Sequence, residues 1–311
     1  MKWKKCFKDI LIGALLTGTF FCVPVFAENK IRIVTTTSNL ADFASVITGD
    51  AAEVYAVAPP GRDIHFIQPT PRDVLKVKKA DVFIHDGLDL EAWRDPLLDA
   101  AGNMRLLGSG EASIDASRGI PLLEIPVSLS RSEGDIHLFG NPHFWTDPEN
   151  AKTMAGNIAE GLARLYPDKA ELFKTRARKL QSEIEAKLAE WSVRMKPYAG
   201  TQVVVFHNSW PYLARRFGLE IAGYIEPKPG IPPTAKHLRD LTARIKEKKA
   251  KLVIKEAYNE SRPAEKVARE AGVPLVTLYQ FAGQDKTNRY LEVMEKDILI
   301  LEHALGGEKK S

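Results

Sequence analysis

Imidazoles are the side chains of this sequence that point most directly to chemistry. Four of the seven histidines fall in loops beside predicted strands or helices. His85 and His207 directly follow the apolar runs VFI and VVVF, His65 follows a Pro-Pro-Gly turn after a strand, and His143 lies in NPHFWTDP before a helix. Ligands of open parallel sheets bind outside the carboxyl ends of the strands. Without cysteine, neutral imidazole is the commonest transition-metal ligand, so these histidines favour a metal site.

The other three histidines carry less information. His237 and His303 lie on predicted helices, and His137 lies in the segment 108–140, which is rich in Gly, Ser and Pro. The separations of 78 and 64 residues between His65, His143 and His207 match no local metal motif such as HExxH. Spacing alone therefore makes a weak case for a shared site.

The first 27 residues predict a secretory signal peptide that is cleaved after Ala27. A basic start is followed by the apolar run 10–25 and by small residues at the two positions that a signal peptidase reads. A retained anchor is disfavoured because the apolar run is short and contains Pro24. Lipid attachment at Cys22 is disfavoured because two bulky phenylalanines precede it. We expect a protein of the periplasm without stable membrane insertion.

Removal of this segment changes the charge and the cysteine count. The chain has 44 basic and 40 acidic residues, and the segment contains four Lys and one Asp, which leaves a net charge near +1. Such a balance gives no support for nucleic-acid binding. Both cysteines, Cys6 and Cys22, lie in the segment, so the mature chain can form neither a disulfide nor a thiolate metal site.

The histidines must be positioned by two lobes. The segment 167–198 predicts one long amphipathic helix, with apolar residues every three or four positions, at Phe173, Ala177, Leu180, Ile184, Leu188, Trp191 and Met195. Predicted strands alternate with helices on both sides of it, which favours parallel sheets flanked by helices. We therefore predict an α/β protein with an N-terminal lobe at 28–166, a rigid linking helix at 167–198 and a C-terminal lobe at 199–311.

The predicted strands and helices follow the apolar runs, which Gly and Pro residues separate. Strands are predicted at 31–37, 54–58, 80–84, 202–206, 220–224, 251–254 and 275–279, with a short one at 122–125. Helices are predicted at 39–46, 71–79, 88–101, 148–165, 167–198, 210–217, 234–248, 262–271 and 287–305.

Three motifs carry a resemblance to a known family. The stretch GRDIH, continuing to PTPRD (residues 61–73), resembles the GxDPHxYEPTPxD motif of the metal-specific solute-binding proteins of bacterial ABC importers of zinc and manganese. NPHFWTDP (141–148) is similar to that family's DPHxWLDP, and FHN with YLARRFGL (206–219) is similar to its third element. The resemblance covers essentially the whole mature chain. It implies two α/β lobes joined by a long helix, with one metal in the cleft.

The resemblance also implies a ligand set. His65 and His143 correspond to ligands from the first lobe and His207 to one from the second, while the family's fourth ligand is a carboxylate. The matching position here is Gln280, a neutral amide. Glu256, Asp285 or a water could supply the missing donor instead, and His85 and His137 stay open as assisting residues.

Ligand chemistry favours Zn²⁺ as the cargo, with Mn²⁺ or Fe²⁺ as alternatives, because Mn²⁺ prefers oxygen ligands. The resemblance implies a monomer that delivers the ion to the membrane permease of an ABC transporter and that is not an enzyme. A zinc-dependent hydrolase is the competing class, since three histidines and a water also form catalytic sites. It would need Glu256 or Asp285 as a general base, and no hydrolase motif accompanies them.

Overall fold

The computed structural model describes residues 29–108, 110–126, 137–228 and 230–306. The predicted signal peptide lies outside the described residues. Among those that are described, no helix is both long and apolar enough to cross a membrane.

Two four-stranded parallel sheets form the centres of two lobes. The first has the strand order β2-β1-β3-β4 and the second the order β6-β5-β7-β8. The strands are β1 (Ile31–Thr35), β2 (Ala52–Ala56), β3 (Val82–His85), β4 (Ser113–Asp115), β5 (Gln202–Val205), β6 (Glu220–Tyr224), β7 (Leu252–Glu256) and β8 (Leu275–Leu278). β-Branched residues dominate β1 and β5, as is typical of strands covered by helices on both faces.

The described helices cover these sheets and connect the lobes. They are α1 (Ser38–Thr48), α2 (Pro71–Lys78), α3 (Arg94–Ala101), α4 (Pro148–Leu165), α5 (Ala170–Met195), α6 (Pro211–Phe217), α7 (Ala235–Lys248), α8 (Ser261–Ala271) and α9 (Tyr290–Gly306). The predicted α/β class with two lobes and a long helix is confirmed.

The linking helix is α5, which short 3₁₀ turns extend at both ends to cover the predicted segment. Its buried residues are the seven that the periodicity predicted. It packs against α1 and α4 of the first lobe and against α9 of the second. Arg194 fastens it to α9 through Glu295 at 2.6 Å and Glu302 at 2.5 Å. One continuous hydrophobic core therefore includes residues of both lobes and of α5.

Two local predictions were wrong. Residues 122–125 form no strand, and the fourth strand of the first sheet is instead the three-residue β4, which pairs with β3. The predicted helix from residue 88 begins only at Arg94, because Leu88 and Asp89 have positive φ angles of 56° and 58°. The resulting turn brings the carboxylate of Glu91 back to the backbone N–H groups of Asp86 and Gly87, at 2.8 and 3.2 Å.

Candidate metal centre

Three histidines from both lobes meet at the carboxyl ends of the two sheets. His65 lies in a 3₁₀ turn after β2, His143 directly precedes the 3₁₀ turn before α4, and His207 lies just after β5. One ring nitrogen of each lies within 4.8 Å of the corresponding atoms of the other two. The Nε2 atoms of His65 and His143 are 3.1 Å apart. Among the described residues this is the one such cluster of His, Asp and Glu, and its donor set suits a transition metal.

Hydrogen bonds orient the rings. Nδ1–H of His143 donates to Oδ1 of Asn141 at 3.0 Å, with the tautomer assigned from this geometry, and the same oxygen accepts the backbone N–H of His143. Nδ1–H of His207 donates to Oε2 of Glu226 at 2.5 Å. Both contacts leave Nε2 as the ring nitrogen available to a metal ion.

Burial and mutual repulsion keep two of the imidazoles neutral. The pKa of His65 is lowered well below its ordinary value by desolvation and then by the neighbouring His207 and His137. The pKa of His143 is lowered in the same way, by burial and by the other histidines. A metal ligand must be unprotonated, so these shifts keep both nitrogens available to a cation at neutral pH.

His207 has the opposite balance. Burial by itself lowers its pKa, but the hydrogen bond to Glu226 and the negative charges of Glu256, Glu226 and Asp63 outweigh that effect and raise the pKa overall. The second lobe therefore brings the carboxylates of Glu226 and Glu256 to the centre, whereas residue 280 has an amide side chain.

Gln280 lies at the end of β8, buried to 3% exposure. Its backbone N–H donates to Oε1 of Gln284 and its carbonyl accepts from Nδ2 of Asn39. Neither atom of its side-chain amide has a hydrogen-bond partner among the described residues. Leaving a buried amide without hydrogen-bond partners costs stability, so the amide oxygen of Gln280 is available to coordinate a metal ion.

The two carboxylates considered as alternative donors, Glu256 and Asp285, lie in different surroundings. Glu256 ends β7 and is buried at 1% exposure, with its Oε2 accepting from Asn259 at 2.6 Å. Burial raises its pKa, while His207 lowers it. Asp285 is paired with Lys296 and its side chain is 45% exposed. Neither carboxylate joins the cluster of the three histidines.

The two histidines whose assisting role the sequence left open, His85 and His137, also differ. His85 contacts the guanidinium of Arg94 at 3.1 Å through Nδ1. The ring of His137, by contrast, lies 5.0 Å from that of His65 and 6.4 Å from that of His143, measured between ring centroids. His137 therefore adjoins the centre, whereas His85 is engaged elsewhere.

Sequence reasoning missed Glu226. It lies two residues after β6, so the rule that selected the histidines, which places ligands beyond carboxyl strand ends, could have selected it too. Position 141 has Asn where the family motif DPHxWLDP has Asp. The structure shows its amide orienting His143 and bonding to Glu124 at 2.9 Å.

Polar contacts close the cleft around the centre. Asn39 of the first lobe accepts from the backbone N–H of Ala282 at 2.9 Å and donates to the carbonyl of Gln280 at 2.8 Å. Arg216 of the second lobe grips Asp147 with two hydrogen bonds, at 2.7 and 2.9 Å. Two lobes, one stiff helix and a buried imidazole centre between them define the metal-binding class of solute-binding proteins.

Comparison with known proteins agrees with this class. Residues 33–304 match the family model described as "Zinc-uptake complex component A periplasmic", and the chain belongs to that family. It is 30% identical to the iron-binding protein YfeA of Yersinia pestis over 80% of this chain and 76% of that one. It is 26% identical to the zinc-binding protein AdcA of Streptococcus pyogenes serotype M1 over 94% of this chain. It spans 61% of that relative's length.

A solved structure supports the same assignment. The solute-binding protein FpvC of Pseudomonas aeruginosa, in complex with Mn²⁺, matches with a TM-score of 0.76 and 25% identity. The match covers 89% of this chain and 99% of FpvC.

Proposed function

We propose that this protein is the periplasmic substrate-binding component of an ABC importer, with Zn²⁺ as its main cargo. The observation that carries the proposal is the cluster of three buried imidazoles contributed by two lobes. Imidazole donors favour Zn²⁺ over Mn²⁺, which prefers oxygen. Fe²⁺ is the second candidate, because the relative YfeA is named for iron binding.

His65, His143 and His207 are the proposed ligands, with the amide oxygen of Gln280 as the fourth donor. Support for Gln280 comes from its burial and from its unpartnered amide within the described residues. Glu256 is retained as the alternative donor, since its charge acts on His207 from the neighbouring strand end. Four donors leave no open position for a catalytic water, which disfavours the hydrolase.

Delivery to a permease, a monomeric state and the domain boundaries at residues 166 and 198 belong to the same proposal. The family role in uptake supports the permease partner. Contacts of α5 with helices of both lobes support a linking helix.

The deciding experiment is a competition between metals. The purified mature protein is stripped with a chelator, offered equimolar Zn²⁺, Mn²⁺ and Fe²⁺ without oxygen, and analysed for bound ions by mass spectrometry. We expect about one equivalent of Zn²⁺. Mn²⁺ or Fe²⁺ in its place would overturn the zinc assignment, and no bound metal would overturn the proposal.

Secretion has its own test. We expect the intact mass of protein recovered from the periplasm to correspond to a chain that starts at Glu28 without an acyl group. A mass that includes a lipid on Cys22 would instead show an anchored lipoprotein.

A further inference from the structure

We infer that Glu226 is the charge-compensating and positioning residue of the metal centre, acting through His207. This inference rests on the proposed ligand set of three imidazoles and the Gln280 amide. All four donors of that set are neutral, so they leave the two positive charges of the bound ion uncompensated. Glu226 supplies a negative charge that is hydrogen-bonded to one of the proposed ligands, His207.

The position of Glu226 is fixed by its backbone. Its backbone N–H donates to the carbonyl of Phe206, the residue before His207, at 3.0 Å. This bond holds the carboxylate beside the imidazole it serves, since both residues lie at neighbouring strand ends of the second sheet. The two side chains are largely buried, at 9% exposure for His207 and 16% for Glu226.

The carboxylate itself is held at both oxygens. Oε2 accepts Nδ1–H of His207 at 2.5 Å, and Oε1 accepts the backbone N–H of Gly230 at 2.9 Å. A carboxylate fixed by two donors cannot rotate away from the ring. It therefore keeps Nε2 of His207 directed at the centre and makes that nitrogen a stronger donor.

The other two imidazoles have no such partner. His143 is oriented by the neutral amide of Asn141, and His65 has a hydrogen bond with the backbone of Leu90. Among the described residues, Glu226 is thus the one charged group hydrogen-bonded to a proposed imidazole ligand.

Two other carboxylates lie near His207. Asp63 accepts the backbone N–H of His65 at 3.0 Å, and Glu256 accepts from Asn259 through Oε2, while its Oε1 has no hydrogen-bond partner among the described residues. Both act on His207 only through space. Glu226 is accordingly the group best placed to replace the carboxylate that the ligand position 280 lacks.

The test uses Glu226→Gln, which keeps a hydrogen-bond acceptor and removes the charge. We expect its Zn²⁺ affinity, measured by competition with a chromophoric chelator, to fall about 10- to 100-fold. The melting temperature of the stripped protein should stay unchanged. Adding Gln280→Asp to this variant should raise its Zn²⁺ affinity at least tenfold. This gain should exceed the gain that Gln280→Asp produces in the wild-type chain.

Glu124→Gln is the matched control, because Glu124 also lies at the cleft but bonds to Asn141 and Asn208 instead of a histidine. An equal loss in both variants would overturn the inference in favour of general electrostatics, as would wild-type affinity in Glu226→Gln. The Nδ1 proton of His207 gives a readout in the wild-type chain: NMR of the zinc-loaded protein should show it far downfield, and its absence would also overturn the inference. Failure of the wild-type chain to bind Zn²⁺ would overturn the proposed function itself.

Discussion

The Nε2 atoms of His65 and His143 lie 3.1 Å from each other. Two nitrogen ligands on a tetrahedral zinc ion, each about 2.05 Å from the metal, are about 3.3 Å apart. The pair from the first lobe therefore already has nearly the spacing that one ion requires. His207, with a ring nitrogen within 4.8 Å of those of the other two, is the proposed third ligand, from the second lobe.

Replacing any of the three histidines by alanine should weaken Zn²⁺ binding at least tenfold, which corresponds to about 1.4 kcal/mol. Each change removes one of few strong donors. Isothermal titration with a competing chelator measures the effect, and His85→Ala serves as the control because its ring contacts Arg94. A histidine whose replacement leaves the affinity intact does not belong to the ligand set.

Gln280→Asp should tighten Zn²⁺ binding, because it restores an anionic oxygen at the end of β8. We expect a gain of roughly tenfold or more by the same titration. Asp285→Asn, in the same loop but paired with Lys296, should leave the affinity unchanged. The reverse pattern is unchanged Zn²⁺ affinity in Gln280→Asp and reduced affinity in Asp285→Asn. It would identify Asp285 as the fourth donor.

Asn39→Ala should speed metal release. The change leaves the carbonyl of Gln280 and the N–H of Ala282 unpaired across the cleft, at a cost of about 1–3 kcal/mol in the closed state. Stopped-flow chelation should show the dissociation rate of Zn²⁺ rising at least about fivefold.

Asn103→Ala is the matched control for that experiment. Its amide bonds carbonyls of the first lobe only, including that of Ala80 at 3.0 Å. It should lower the melting temperature without changing the release rate. Equal release rates in Asn39→Ala and the wild type would show that these bonds do not hold the cleft closed.

Asp86→Asn should stabilise the fold at neutral pH. Burial and then the charge of Glu91 raise the pKa of Asp86 well above its ordinary 3.8. A carboxyl whose pKa is raised on folding costs stability as pH rises above its unfolded value. The variant should therefore be more stable than the wild type by on the order of 1 kcal/mol at pH 7, with little difference near pH 4.

Urea unfolding at both pH values measures this difference. Thr36 keeps an acceptor in the variant, since its hydroxyl bonds Glu91 at 2.6 Å as well as Asp86. Asp89→Asn, the same substitution at an exposed neighbour, is the matched control. Lower stability of Asp86→Asn than of the wild type at pH 7 would show that ionised Asp86 and Glu91 do not destabilise the fold.

Periodicity predicted α5 down to its buried residues, because a long helix that packs on one face repeats its apolar positions over many turns. The three-residue β4 has too few positions to show any period. The turn at Leu88 brings the Glu91 carboxylate into a hydrogen bond with the backbone N–H of Asp86. No apolar pattern encodes such a contact between a side chain and the main chain.

The centre was predictable only in part. The order of strands and helices drew attention to four histidines at one edge, and the resemblance of the surrounding motifs then singled out His65, His143 and His207. The bond between Glu226 and His207 depends on the pairing of β5 with β6 and on the turn at Gly230, so it emerged only from the structure.

We expect the attachment of α5 to helices of both lobes to affect how the cargo leaves. A linking helix that resists bending would limit the lobes to small displacements, and the proposed ligands, which are divided between the lobes, would be lost together when the lobes separate. The residence time of the ion would then depend on the stiffness of this joint as well as on the strength of each bond to the metal. A receptor on the membrane could empty such a carrier by pulling the lobes apart slightly, without supplying a competing ligand.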